Sequence, residues 1–195
     1  YEAKELPVYE KIEMTPPAGF QKTYPKIAAG TWSDDGAQAL CLMNSLLKNG
    51  KFSLKAYSDA LLAWYEEGFW AVGRVVFDVG VQTADALNAY KRGIPATDCG
   101  LMNPEGKGNG ALMRVLPLAL WHFVQGDTDL EKKSRDLVRD AHSQCQITHG
   151  HLCNQVCCAL YCLAAQGLLE GKEAREAIQE GVCALRSIYR EQPEY

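Results

Sequence analysis

Gly30-Thr31-Trp32-Ser33-Asp34-Asp35-Gly36-Ala37 runs straight into the apolar stretch Gln38-Ala39-Leu40-Cys41-Leu42-Met43-Asn44-Ser45-Leu46-Leu47-Lys48, which Asn49-Gly50 closes. A hydroxyl and two carboxylates therefore stand at the mouth of a helix. Ser is a good N-cap and acidic residues in a first turn complement the helix dipole, so capping by itself accounts for the triplet. The same geometry also gathers hard oxygen donors of the kind magnesium prefers. Leu40, Met43 and Leu47 recur at helical spacing and predict the inward face.

Upstream, Pro7, Pro16, Pro17 and Pro25 break any regular period, so residues 1–29 read as an irregular arm or loop. Downstream, residues 30–195 read as one all-α domain of several helices. Ser53 is placed to cap a helix bearing Leu54, Tyr57, Leu61, Leu62 and Tyr65. A helix from Thr83 to Lys91 stops at Gly93, ahead of Pro95. Asn109 to Val124 predicts a helix kinked or offset at Pro117, and Asp129 to Cys145 an amphipathic one. His149 to Leu169 is apolar almost all round, the mark of a central buried helix. Ala174 to Tyr189 places Ile178, Val182, Leu185 and Tyr189 on one face. Val75-Val76-Phe77 is the best strand candidate, and it is short.

The 195 residues are 47% hydrophobic, enough for one well-buried core. The net charge of −4, without a basic stripe, argues against nucleic acid as the main partner. No apolar stretch reads as a membrane span, and Tyr1-Glu2-Ala3-Lys4-Glu5 lacks the apolar core of a signal peptide. A cytoplasmic protein, its chain beginning inside a longer one, is the expectation. Eight cysteines then read as small thiols rather than disulfides. Cys153, Cys157, Cys158 and Cys162 have helical spacing and are expected to line one side; zinc with His149 and His151 is the weaker alternative.

Two further segments carry chemistry. Gly108-Asn109-Gly110 leads into Ala111-Leu112-Met113-Arg114. Glycines there let backbone approach a ligand, and free N–H groups at a helix start attract phosphate. The spacing fits neither the dinucleotide fingerprint nor the P-loop. Arg114 reads as meeting a phosphate or a core carboxylate. Thr148 reads as an N-cap, with His149 either structural or in contact with a sugar hydroxyl or phosphate. Gly126-Asp127-Thr128-Asp129 looks like a metal motif, but capping of the following helix explains it.

In this order the three segments resemble those of the ADP-ribosylglycohydrolase family, which includes the dinitrogenase-reductase-activating glycohydrolases. Val81-Gln82-Thr83 and Ala86-Leu87 are similar to the intervening helix, and Pro117-Leu118 to the end of the Gly-Asn-Gly segment. The resemblance implies an all-helical fold whose cleft holds two magnesium ions. It implies hydrolysis of the bond between ADP-ribose and an acceptor, a modified protein or a small molecule, with the acceptor itself and the oligomeric state left open. By the same resemblance Ser33, Asp34 and Asp35 would bind metal, and Asp35 would help activate water. Gly108, Asn109, Gly110 and Met113 would hold ADP-ribose, and His149 would touch its ribose or phosphates. Gly36 departs from the family's usual Thr. The family's opening Gly-Asp-Ala-x-Gly helix and closing Asp-x-Asp-Thr segment have no counterpart here, so the domain reads as incomplete. That leaves a non-catalytic relative, binding ADP-ribose or a protein, as the alternative.

Overall fold

Ser33 ends an extended approach and Asp34 begins the first helix, α1 (Asp34–Asn49), which Gly50 closes in the left-handed conformation at φ 65. A computed structural model describes Gly19, residues 21–125 and residues 129–191. Contacts divide the chain into Tyr1–Trp32 and Ser33–Tyr195. In the first unit the described residues form turns, with Ile27 N–H donating to the Tyr24 carbonyl at 3.1 Å and Thr31 N–H to that of Ala28 at 3.3 Å. Most of the expected arm lies outside the described residues.

The second unit is all-helical. After α1 come α2 (Leu54–Glu67), α3 (Val81–Lys91), α4 (Leu116–Val124), α5 (Leu130–Gln146), α6 (Leu152–Leu169) and α7 (Ala174–Glu191). Short 3-10 turns lie at Val72–Arg74 and Ala96–Asp98, and no strand occurs among the described residues. Val75-Val76-Phe77 is thus irregular: its extended preference finds no partner strand. Ser53 caps α2 by accepting from Ala56 N–H at 3.3 Å. Asp129 caps α5 through Lys132 N–H at 3.0 Å, as the capping reading requires, while Gly126, Asp127 and Thr128 lie outside the described residues.

Helix α6 is the hub, packing on α7, α5 and α4, while α1 packs on α2 and α4. The core joins Leu42 and Leu46 of α1, Tyr57, Leu61 and Trp64 of α2, Leu118 of α4, Leu137 and Val138 of α5 and Cys158 and Cys162 of α6. Gly167 lets α6 and α7 touch, since a Cβ there would come within 2.8 Å of Ala177 Cβ.

Several expectations change. Helix α1 buries Ala37, Gln38, Cys41, Leu42, Ser45 and Leu46, not the face with Leu47, which is 65% exposed. Both faces carry apolar residues, and the one with smaller side chains, plus two polar ones, packs inward. Helix α7 likewise buries Ala177, Gly181, Leu185 and Ile188, and Ile178 lies outside. Residues 109–115 form turns rather than helix. Pro117 therefore sits in the first turn of α4, where its missing N–H costs nothing, and it causes no kink. Helix α6 starts at Leu152 with His151, not Thr148, as its N-cap. By length and a mean hydropathy of 1.5 α6 does reach the requirements of a membrane span, yet 56% of it is buried inside the fold. All eight cysteines are free, but the α6 group splits by face: Cys158 and Cys162 are buried, Cys153 and Cys157 exposed.

Candidate active site

The α1 mouth is not a conventional cap. Ser33 makes no side-chain bond to the helix backbone; its hydroxyl donates to Asp35 Oδ2 at 2.9 Å. Asp34 is nearly buried and Asp35 exposed. Burial, then the neighbouring Asp35 charge, push the Asp34 carboxyl up to about 6, and Asp78 adds to the effect while Ser33 opposes it. Asp78 comes from the loop before α3 and holds a left-handed backbone, φ 61, which Asp tolerates better than most residues. Negative charge thus accumulates at the positive end of a helix. Among the described residues no group of three or more His, Cys, Asp or Glu could hold a metal. The mouth offers two carboxylates and a hydroxyl. As part of a shell this all-oxygen set suits magnesium, which keeps several waters and takes one or two carboxylates besides substrate oxygens.

The glycine segment meets His149. Gly108 N–H donates to Gln82 Oε1 at 2.9 Å. A Cβ on Gly108 would lie 3.2 Å from His149 Nε2, and one on Gly110 would lie 2.7 Å from His149 Cε1 and 3.3 Å from Thr83 Oγ1. Glycine is required here for close approach of backbone to ring. The Asn109 carbonyl accepts from Leu112 N–H at 2.8 Å and Met113 N–H at 3.2 Å, closing the turn. The segment does not stand at a helix start as expected: α4 begins only at Leu116, and the Gly108 amide already donates to Gln82.

Arg114 ties the two halves together. It is fully buried, and among the described residues its hydrogen-bond acceptors are neutral oxygens rather than a carboxylate. Its Nη1 donates to Gln38 Oε1 at 2.7 Å, its Nε to Gln144 Oε1 at 3.3 Å and its Nη2 to the Gln144 carbonyl at 3.2 Å and Thr148 Oγ1 at 2.8 Å. Its guanidinium also lies over the Tyr57 ring, 5.7 Å from the centroid. Gln38 is one helical turn beyond Asp34. Thr148 Oγ1 lies 2.7 Å from His149 Nδ1. Burial, with the Arg114 charge second, lowers His149 to about 3, so its imidazole is neutral. The His149 carbonyl accepts from Cys145 Sγ at 3.1 Å, and Gly150 from Gln155 Nε2 at 2.8 Å.

Of the expected residues, Ser33, Asp34 and Asp35 gather at the α1 mouth, and Gly108, Gly110 and His149 meet at the loop. Asn109 and Met113 shape the turn. No hydrogen bond among the described residues joins Asp34 or Asp35 to the loop; the connection runs through Gln38, Arg114 and Thr148. Sequence reading gave no role to Gln38, Asp78, Gln82 or Thr83. Gln38 carried a usable signal, a polar residue one turn beyond Asp34.

A model of the ADP-ribosylglycohydrolase family matches residues 2–195. The chain belongs to the ADP-ribosylglycohydrolase family. Its all-helical fold is the one that this membership leads one to expect. The chain is 30% identical over 164 residues to ADP-ribosylarginine hydrolase Tri1 of Pseudomonas putida (strain GB-1), covering 83% of this chain and 41% of that protein. It is 27% identical over 161 residues to ADP-ribosylarginine hydrolase Tri1 of Serratia proteamaculans (strain 568), covering 82% of this chain and 41% of the relative. The chain thus spans about two fifths of the length of these curated relatives.

Proposed function

We propose that this chain supplies the ADP-ribose-binding loop and part of the metal shell of a hydrolase that frees arginine side chains from ADP-ribose. The observation that carries the reading is the packing of Gly108 and Gly110 against a neutral, buried His149, linked through Thr148 and Arg114 to Gln38 of α1, one helical turn beyond Asp34. The relatives' name, ADP-ribosylarginine hydrolase, supports arginine as the acceptor.

The reaction is hydrolysis: the bond from the anomeric carbon to the guanidinium nitrogen breaks, water oxygen bonds to that carbon, and a proton ends on the departing nitrogen. Positive charge builds on the sugar as the bond loosens. Asp35, which is exposed at the α1 mouth, would take the proton of the attacking water. Ser33, Asp34 and Asp35 would hold magnesium, which when bound orients water and polarises substrate oxygens. The glycine turn and His149 would hold the nucleotide sugar in register.

The test is release of ADP-ribose from an ADP-ribosyl-arginine peptide, alongside calorimetric titration of ADP-ribose with and without magnesium. Release should need magnesium, and Asp35→Ala should lower it at least about 100-fold. Asp34→Ala should abolish magnesium-dependent binding. Helix content should survive in both variants, because neither Asp side chain nor Ser33 caps the α1 backbone. Binding without release would favour the non-catalytic alternative. Loss of the fold in both variants would make these residues structural.

A further inference from the structure

We propose that Thr148 is a positioning residue that fixes His149 as the tautomer protonated on Nε2, making it an obligate donor to an acceptor oxygen held at the Gly108–Gly110 turn. The argument begins at Arg114, whose guanidinium has donors only. Its contact with Thr148 Oγ1 at 2.8 Å therefore places an Arg114 proton between the two. Thr148 is fully buried, and among the described residues its hydroxyl has one other hydrogen-bond partner, His149 Nδ1 at 2.7 Å.

If His149 carried its proton on Nδ1, both neighbours would point hydrogens at Oγ1, and the Thr148 hydroxyl hydrogen would be left without an acceptor in a site closed to water. An unmade hydrogen bond of this kind costs about 1–3 kcal/mol. With Nδ1 as the acceptor every group around Thr148 Oγ1 is satisfied, and the single proton of the neutral ring moves to Nε2. That atom faces the turn: a Cβ would come within 3.2 Å of it from Gly108 and 3.1 Å from Gly110. Among the described residues Nε2 makes no hydrogen bond.

The oxygen acceptor in question rests on the ADP-ribose reading above, whereas the tautomer does not. The experiment is two-bond proton–nitrogen correlation spectroscopy on the 195-residue chain labelled with ¹⁵N-histidine, His149 being assigned by the signal missing from His149→Gln. Wild type should show Nε2 protonated and Nδ1 bare at neutral pH. Thr148→Val should mix the tautomers and weaken ADP-ribose binding about tenfold, the loss of one neutral hydrogen bond. Thr148→Ser, which keeps the hydroxyl, should restore both. A wild-type ring protonated on Nδ1 or on both nitrogens overturns the proposal, as does a Thr148→Val protein with unchanged tautomer and affinity. Should Thr148→Val not fold, the wild-type and Thr148→Ser spectra still decide. A wild type with Nε2 protonated that binds no ADP-ribose leaves the tautomer standing and removes the ADP-ribose reading instead.

Discussion

At the scale of single residues the glycines divide by what they approach. Gly110 faces the His149 ring, with Thr83 Oγ1 beyond it, whereas Gly100 lies against main chain, where a Cβ would come within 2.4 Å of the Gln146 carbonyl oxygen and 2.6 Å of Gly150 N. A ring can tilt, but backbone anchored in α5 cannot. Gly110→Ala should therefore displace His149 and weaken ADP-ribose binding at least tenfold while costing only about 1 kcal/mol of stability. Gly100→Ala should cost about 3 kcal/mol or more, since main chain must move. Urea denaturation of both variants, with ADP-ribose titration of Gly110→Ala, separates the two. Equal stability losses would mean that the ring is as immovable as the backbone.

At the scale of elements Arg114 holds together the start of α1, the end of α5 and the turn before α4. Its removal leaves Gln38, Gln144 and Thr148 without their donor inside the core. Arg114→Met should destabilise by about 3–5 kcal/mol, since four buried neutral acceptors lose their donor at about 1 kcal/mol or more each. Arg114→Lys should recover little, because one ammonium cannot reach four acceptors in fork geometry. Urea midpoints test this, and a Lys variant as stable as wild type would show that charge alone suffices. How much of this was legible follows from the same residues. Helix existence showed in period and punctuation: Ser53, Asp129, Gly50 and Gly93 bracket elements close to where they were expected. The local grouping of Ser33, Asp34 and Asp35 was visible because it is contiguous. Helix faces were less legible, since α1 and α7 carry apolar residues on more than one side and only tertiary packing selects between them. Ala111, Leu112 and Met113 are good helix formers and make the turn at 109–115 read as helix, while the buried partners of Arg114 lie on α1 and at the end of α5, beyond any local pattern. Gln38 meets Arg114 across 76 positions of sequence, a pairing no local pattern encodes.

For the whole molecule the consequence of burying so much polarity is acid lability. His142, bonded to Tyr189 Oη at 3.0 Å, is lowered by burial from 6.5 to about 4, and His149 is lowered from 6.5 to about 3. In the unfolded chain both take a proton below about 6.5, and in the folded chain neither does until far lower. Their contribution to stability is therefore complete above 6.5. It is lost as pH falls, through about 4 for His142 and through about 3 for His149. Asp34 acts in the opposite sense, because its carboxyl is raised from 3.8 to about 6 and the folded state gains by protonating it across that window. Two histidines outweigh one carboxyl, so the urea midpoint should fall steadily from pH 7 to 4.5. His142→Gln, which can still bond Tyr189 but does not titrate, should flatten part of that slope. Magnesium, if held by Asp34 in its charged form, should raise the midpoint at pH 7.5 and lose its effect near pH 5, as protons displace it. A midpoint independent of pH across the window would mean that both histidines take up protons in the folded chain as readily as in the unfolded one, and that the buried network around Arg114 opens to water before it unfolds.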